Sequence, residues 1–159
     1  MRTPPATTTD DGVRTDDRVL PWFPLRLPSG WWVLGRTAGY LVACADSGRP
    51  RPTLFCTDAP AGGTVSLDQL AQALCDDLPG RYPDVLVLDT GPVTCQGGRL
   101  GVRVLSTHTW AGRSLTTEHW FVEGSADHVH VLAAVVPTSR YAELVTVLHR
   151  TLRSFREPE

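Results

Sequence analysis

Four of the five histidines, His108, His119, His128 and His130, fall in one stretch with Glu118 among them. Imidazoles facing one another beside a carboxylate are the groups that hold zinc or relay a proton near neutral pH. Their placement follows from the turns between them. A hairpin closed by Ala111-Gly112 sets Trp110 opposite Arg113, His108 opposite Leu115 and His119 opposite Val104, with both histidines on one face. A two-residue turn at Gly124-Ser125 would also bring His119 against His130, whereas a one-residue change there would part them. Glu118 points to the other face, because strand neighbours alternate. His108, His119 and His130 are therefore candidate binding residues with no metal assigned. The plainer reading is that they fill half-polar sheet positions.

Other chemistry is excluded by missing parts. All fifteen basic residues are arginine, so Schiff-base chemistry and a phosphate-loop lysine are ruled out. No nucleophile elbow of the GxSxG kind occurs. Cys44, Cys56, Cys75 and Cys95 lie far apart with no CxxC pair, which argues for reduced thiols and against a structural zinc site. Cys95 has nothing cationic near it in sequence. Gly97-Gly98-Arg99-Leu100-Gly101 precedes a strand, while a phosphate loop precedes a helix, so it reads as a bulge or tight turn. No catalytic residue and no cofactor is assigned. Among the aromatics, Trp22, Trp31 and Trp32 cluster, and the last two face opposite ways if they share a strand. One of that pair belongs in a core. An exposed tryptophan, there or at Trp110, would mark a binding surface.

The elements that position these residues have clear signals. Residues 1–18 are polar and rich in Pro, Thr and Asp, which predicts a disordered tail; residues 19–157 form one domain. Phe23–Pro28 alternates apolar residues, but its two prolines confine it to a sheet edge. Short strands follow at Trp31–Leu34, Tyr40–Cys44 and Thr53–Cys56. Ser66-Leu67-Asp68-Gln69 is a capping box opening a helix over 66–78, with Leu67, Leu70, Ala71, Leu74, Cys75 and Leu78 on one stripe and Pro79-Gly80 as its stop. After a strand at Val85–Leu88, the runs Arg99–Trp110, Ser114–Glu123 and His128–Val136 form a meander that is apolar on both faces. Such a sheet needs cover on both sides. A second helix from Ser139 to Phe155 carries Tyr141, Leu144, Val145, Leu148, Leu152 and Phe155 on its apolar stripe. The class is α+β.

A net charge of -2 supplies no field for nucleic acid or an anionic membrane, and no apolar run is long enough to span a bilayer. The absence of a signal peptide points to the cytoplasm. The lysine-free composition fits a high-GC, actinobacterial kind of genome.

In order and spacing the chain resembles the PsbP-like (Mog/PsbP) family, in its DcrB-like and LpqN-like bacterial branch. The likeness rests on Phe23-Pro24-Leu25-Arg26-Leu27-Pro28-Ser29-Gly30-Trp31, on Asp58-Ala59-Pro60 before a helix at Ser66-Leu67, on Gly97–Arg103, and on Leu152-Arg153-Ser154-Phe155-Arg156. It covers residues 22 to 156. It implies an α/β/α sandwich with a central antiparallel sheet flanked by helices, and a family whose members bind a small GTPase, photosystem II subunits or hydrophobic segments of secretion effectors. The expectation is a non-enzymatic cytoplasmic adaptor whose partner is another protein or peptide segment, such as a chaperone of a secretion or injection system. The alternative is a small-molecule or metal-binding domain built on the meander histidines.

Overall fold

The computed structural model describes residues 13–15, 22–45, 48–60, 65–125 and 127–157. Among these residues eight strands make one sheet: β1 (Val13–Thr15), β2 (Trp31–Thr37), β3 (Tyr40–Ala45), β4 (Thr53–Pro60), β5 (Leu86–Thr94), β6 (Leu100–Trp110), β7 (Arg113–Glu123) and β8 (His128–Pro137). Their spatial order is β1-β2-β3-β4-β8-β7-β6-β5, and every neighbouring pair is antiparallel. Helix α1 (Leu67–Arg81) covers one face and α2 (Tyr141–Arg153) the other. This is the α/β/α sandwich the sequence called for.

The two faces are built from alternate residues of the same strands. On the α2 face Trp120, Val122, Leu132, Ala134 and Val136 pack with Leu148 and Leu152 of the helix and with Phe155 just beyond it. Trp120 has no exposed surface, and burying a side chain of that kind contributes about 2–3 kcal/mol. On the α1 face Val104, Phe121 and Val129 meet Ala71, Leu70 and Leu74. The capping box forms as read: Ser66 Oγ accepts from Gln69 N–H at 3.2 Å, and Gln69 Oε1 accepts from Ser66 N–H at 2.8 Å.

The first meander hairpin turns where expected. Ala111 and Gly112 both take left-handed φ angles, 48° and 72°, which match the twist of the flanking strands. Trp110 pairs with Arg113, His108 with Leu115 and His119 with Val104. The second turn differs from a two-residue one. Strand β7 ends at Glu123 and β8 begins at His128, the connection being closed by a Gly124 N–H to His128 carbonyl bond at 3.0 Å, with Asp127 at φ 60°. His119 consequently pairs with Ala133, three residues beyond His130. An odd shift inverts the faces, so His130 lies on the α2 side and His119 on the α1 side.

Three further expectations are corrected. Phe23–Pro28 is not an edge strand: it is irregular, and Phe23, Leu25 and Leu27 are buried against the α2-side core. It is tied to the end of α2 by Arg26 N–H to Ser154 Oγ at 2.7 Å and Arg156 N–H to the Pro24 carbonyl at 2.9 Å. Pro79 does not stop α1. It lies in the last turn, where a missing N–H costs a single bond, and the helix continues to Arg81. The second helix begins at Tyr141 after a 3-10 turn over Thr138–Arg140. Within the stretch expected to be a tail, Val13–Thr15 pairs with Trp31–Val33; residues 1–12 and 16–18 lie outside the described residues.

Candidate functional site

Strands β6 and β7 carry two polar clusters on opposite faces. On the α1 face Ser106 sits directly opposite Thr117; His108 follows on β6, and His119 follows on β7. The four side chains form a polar diagonal on this face. They line a cavity of about 360 Å³ whose walls include Tyr40, Phe55, Leu78, Tyr82, Trp110 and Val131. Trp110 and Tyr40 stand at the surface, 62% and 42% exposed. Tyr82, just past the end of α1, stacks on His108 with ring centroids 3.9 Å apart and 26° between planes.

The atoms of this diagonal have no partner within the protein. Ser106 Oγ, His108 Nδ1, Thr117 Oγ1 and His119 Nδ1 are buried without a hydrogen bond, and they are the only such side-chain atoms among the described residues. All four belong to this cavity. A buried hydroxyl or imidazole left unmatched is costly, so such groups are rare and mark places where something else is met. Burial lowers the pKa of His108, with Asp84 opposing it. Burial, followed by the charges of Arg81 and His108, lowers His119 to about 4. Both rings are neutral at pH 7, each offering one donor and one acceptor.

On the α2 face the opposite holds. Glu118 is 1% exposed, and its carboxylate accepts from Trp120 Nε1 at 2.8 Å, from His149 Nε2 at 2.8 Å and from the Tyr141 hydroxyl. Burial, then the Glu118 carboxylate, raises the Tyr141 pKa. Two of these donors come from α2, so the cluster fastens that helix to the sheet. Sequence reading placed Glu118 correctly away from His119 but did not find His149, which lies on the helix well outside the meander.

The remaining expected residues scatter. His130 is buried and fully engaged, with Nδ1 2.6 Å from Asp58 and Nε2 3.3 Å from Glu157. Glu157 also accepts from Ser125 N–H at 2.8 Å and Arg99 at 2.6 Å; the Ser125 bonds lead the causes that hold its carboxyl down at about 2. That set ties the chain after α2 to the β7–β8 turn. Trp22 is 47% exposed and shares a separate depression with His130. Trp31 is core, and Trp32 is half-buried on the opposite face. Of the seven residues singled out, His108, His119 and Trp110 converge. No three His, Cys, Asp or Glu side chains come together in a metal-ligating group among the described residues. Cys95 is buried, donates to the Leu152 carbonyl at 3.7 Å, and has its thiol pushed up to about 11 by burial despite Arg153 and Arg99.

No family model and no curated protein sequence matches the chain. Solved structures do. Yeast (Saccharomyces cerevisiae) Mog1p, a Ran-binding protein, superposes with TM-score 0.60 at 12% identity, covering 83% of this chain and 88% of its own. Cyanobacterial PsbP from Synechocystis gives TM-score 0.59 at 9% identity over 98% of both chains. The chain has the Mog/PsbP fold. LpqN of Mycobacterium tuberculosis, involved in cell envelope biogenesis, shares the Mog/PsbP fold with TM-score 0.57 at 16% identity, over 80% of this chain and 78% of its own. At these identities the likeness is one of fold, and function has to be argued from the site. No helix among the described residues is long and apolar enough to cross a membrane.

Proposed function

We propose that this chain is a non-enzymatic binding protein and that its ligand, a small molecule, occupies the α1-side cavity. One observation carries the reading: every buried side-chain polar atom without a partner among the described residues opens onto this one apolar-walled space. Mostly apolar walls with a few convergent polar groups are the usual composition of a small-molecule site. The partnered Glu118 cluster, by contrast, is committed to holding α2. Four unbridged cysteines support a reducing, cytoplasmic setting. The test is amide and imidazole NMR of labelled protein against a library of small ring compounds. Binders should shift Ser106, His108, Thr117 and His119 together. Binders that map elsewhere, with these four unmoved, would refute the site.

A second reading, the protein adaptor or secretion-system chaperone, is favoured by the outer strand of the sheet. Leu86, Val87 and Leu88 on β5 are 41–61% exposed on an edge with no further strand among the described residues. An apolar edge of this kind accepts an added strand from a partner. Proline at Val87 should abolish capture of a partner from host lysate; capture unaffected by it would remove the edge as the interface.

A further inference from the structure

Resting on that reading of the cavity, we propose that its ligand is an uncharged aromatic or heteroaromatic ring bearing a group that both donates and accepts hydrogen bonds, such as a carboxamide or phenol. Ring shape follows from the walls. Tyr40, Phe55, Tyr82 and Trp110 supply aromatic surface, and Tyr82 already stacks on the His108 ring. Flat rings offset-stack on such surfaces, gaining more than a saturated chain of equal area. A cavity of about 360 Å³ lies at the small end of ligand sites, too small for a long acyl chain or a dinucleotide.

Absence of charge follows from what lines the space. No Asp or Glu is among the lining residues, so an ammonium group would find no counter-charge there. Arg81 is the single cationic lining residue, and its guanidinium is engaged 2.5 Å from Asp77 at the exposed end of α1. Away from Arg81 a carboxylate would face the Ser106 and Thr117 hydroxyls and two imidazoles whose charging burial disfavours. It would lose water without gaining a counter-charge.

The need for a group of both kinds follows from the diagonal. Two hydroxyls each donate and accept, and each neutral imidazole does one at Nδ1 according to its tautomer. A planar amide or phenol can meet the Ser106–Thr117 pair while its ring lies against the aromatic wall. Water filling the same positions would be displaced by a group that reproduces its bonds.

The experiment titrates labelled wild-type protein with benzamide, phenol, benzoate, benzylammonium, toluene and cyclohexanecarboxamide, reading NMR shifts at Ser106, His108, Thr117 and His119. Benzamide and phenol should bind at least ~tenfold more tightly than the charged, the purely apolar and the saturated compounds. The Ser106→Ala/Thr117→Val double variant, nearly isosteric and checked for an unchanged fold by its spectrum, should weaken benzamide ~tenfold and leave toluene unchanged. Benzoate or benzylammonium binding as well as benzamide, or a double variant without effect on benzamide, would overturn the ligand class while leaving the cavity as the site. If none of the six moves these four residues, while binders from the wider library do, the class is again wrong. If no compound moves them, water alone meets the diagonal and the site itself fails.

Discussion

Thr117, Glu118 and His119 are consecutive residues of β7, yet the two faces they serve treat polar groups in opposite ways. Glu118, on the α2 side, is the more demanding group to bury, and it is matched by three donors, two of them from the helix that covers it. Thr117 and His119, on the α1 side, are left unmatched in a space that α1 does not fill. A protein that can satisfy a buried carboxylate on one face has no general difficulty with buried polarity. The unmatched diagonal is therefore a feature of that face, and a ligand reading accounts for it where a packing reading does not. Polar networks closed within the fold rigidify it; open ones are costly until something binds.

The largest effect should come from opening the closed face. Glu118→Ala removes the acceptor for Tyr141, His149 and Trp120, and urea unfolding should show a loss of about 3 kcal/mol. If the variant were as stable as the parent, the contrast between faces would collapse.

Next is pH. His119 is held neutral in the fold, from its usual 6.5 to about 4, so the unfolded chain takes up its proton first. Stability is full above about pH 6.5 and should fall as the pH drops towards 4, by about 3 kcal/mol in all. His108 acts in the same direction. Comparing unfolding midpoints of wild type and His119→Gln across that window isolates the effect, since the variant should lose most of the slope. A slope unchanged by the substitution would mean that His119 is already charged or matched in the fold.

Smaller still is Tyr141→Phe, which deletes one of three donors to Glu118 and should cost about 1 kcal/mol in the same unfolding assay. Trp110→Ala is the smallest. At 62% exposure its loss should change stability by no more than about 0.5 kcal/mol while weakening any ring compound that reaches the cavity mouth. A stability loss above 1 kcal/mol at Trp110 would make it a packing residue instead.

Much of the frame was legible in the sequence because the periodicities were strong and local. The capping box at Ser66, the Ala111-Gly112 turn and the two-sided apolar meander each follow from chemistry within a few residues. Where it failed, longer-range effects decided. The β7–β8 turn closes through Gly124 and His128, and its extra length moved His130 to the other face. Phe23, Leu25 and Leu27 keep the alternation of a strand, but their place is fixed by the C-terminal end of α2, more than a hundred residues away. Half of the cavity was within reach: the correct first register already put Ser106 opposite Thr117 between two histidines, and polar residues at four apolar-phase positions were the signal. Tyr82 and Phe55 were not, since only the packing of α1 and the β4–β8 pairing bring them there.

The most direct measurement is the unfolding free energy of the Ser106→Ala/Thr117→Val variant without ligand. If these hydroxyls are kept for a bound molecule, removing them relieves unmatched polarity, and the variant should be at least as stable as wild type, by up to about 1 kcal/mol. A loss of 2 kcal/mol or more, of the kind expected for Glu118→Ala, would show that the diagonal is satisfied within the fold and that the two faces do not differ.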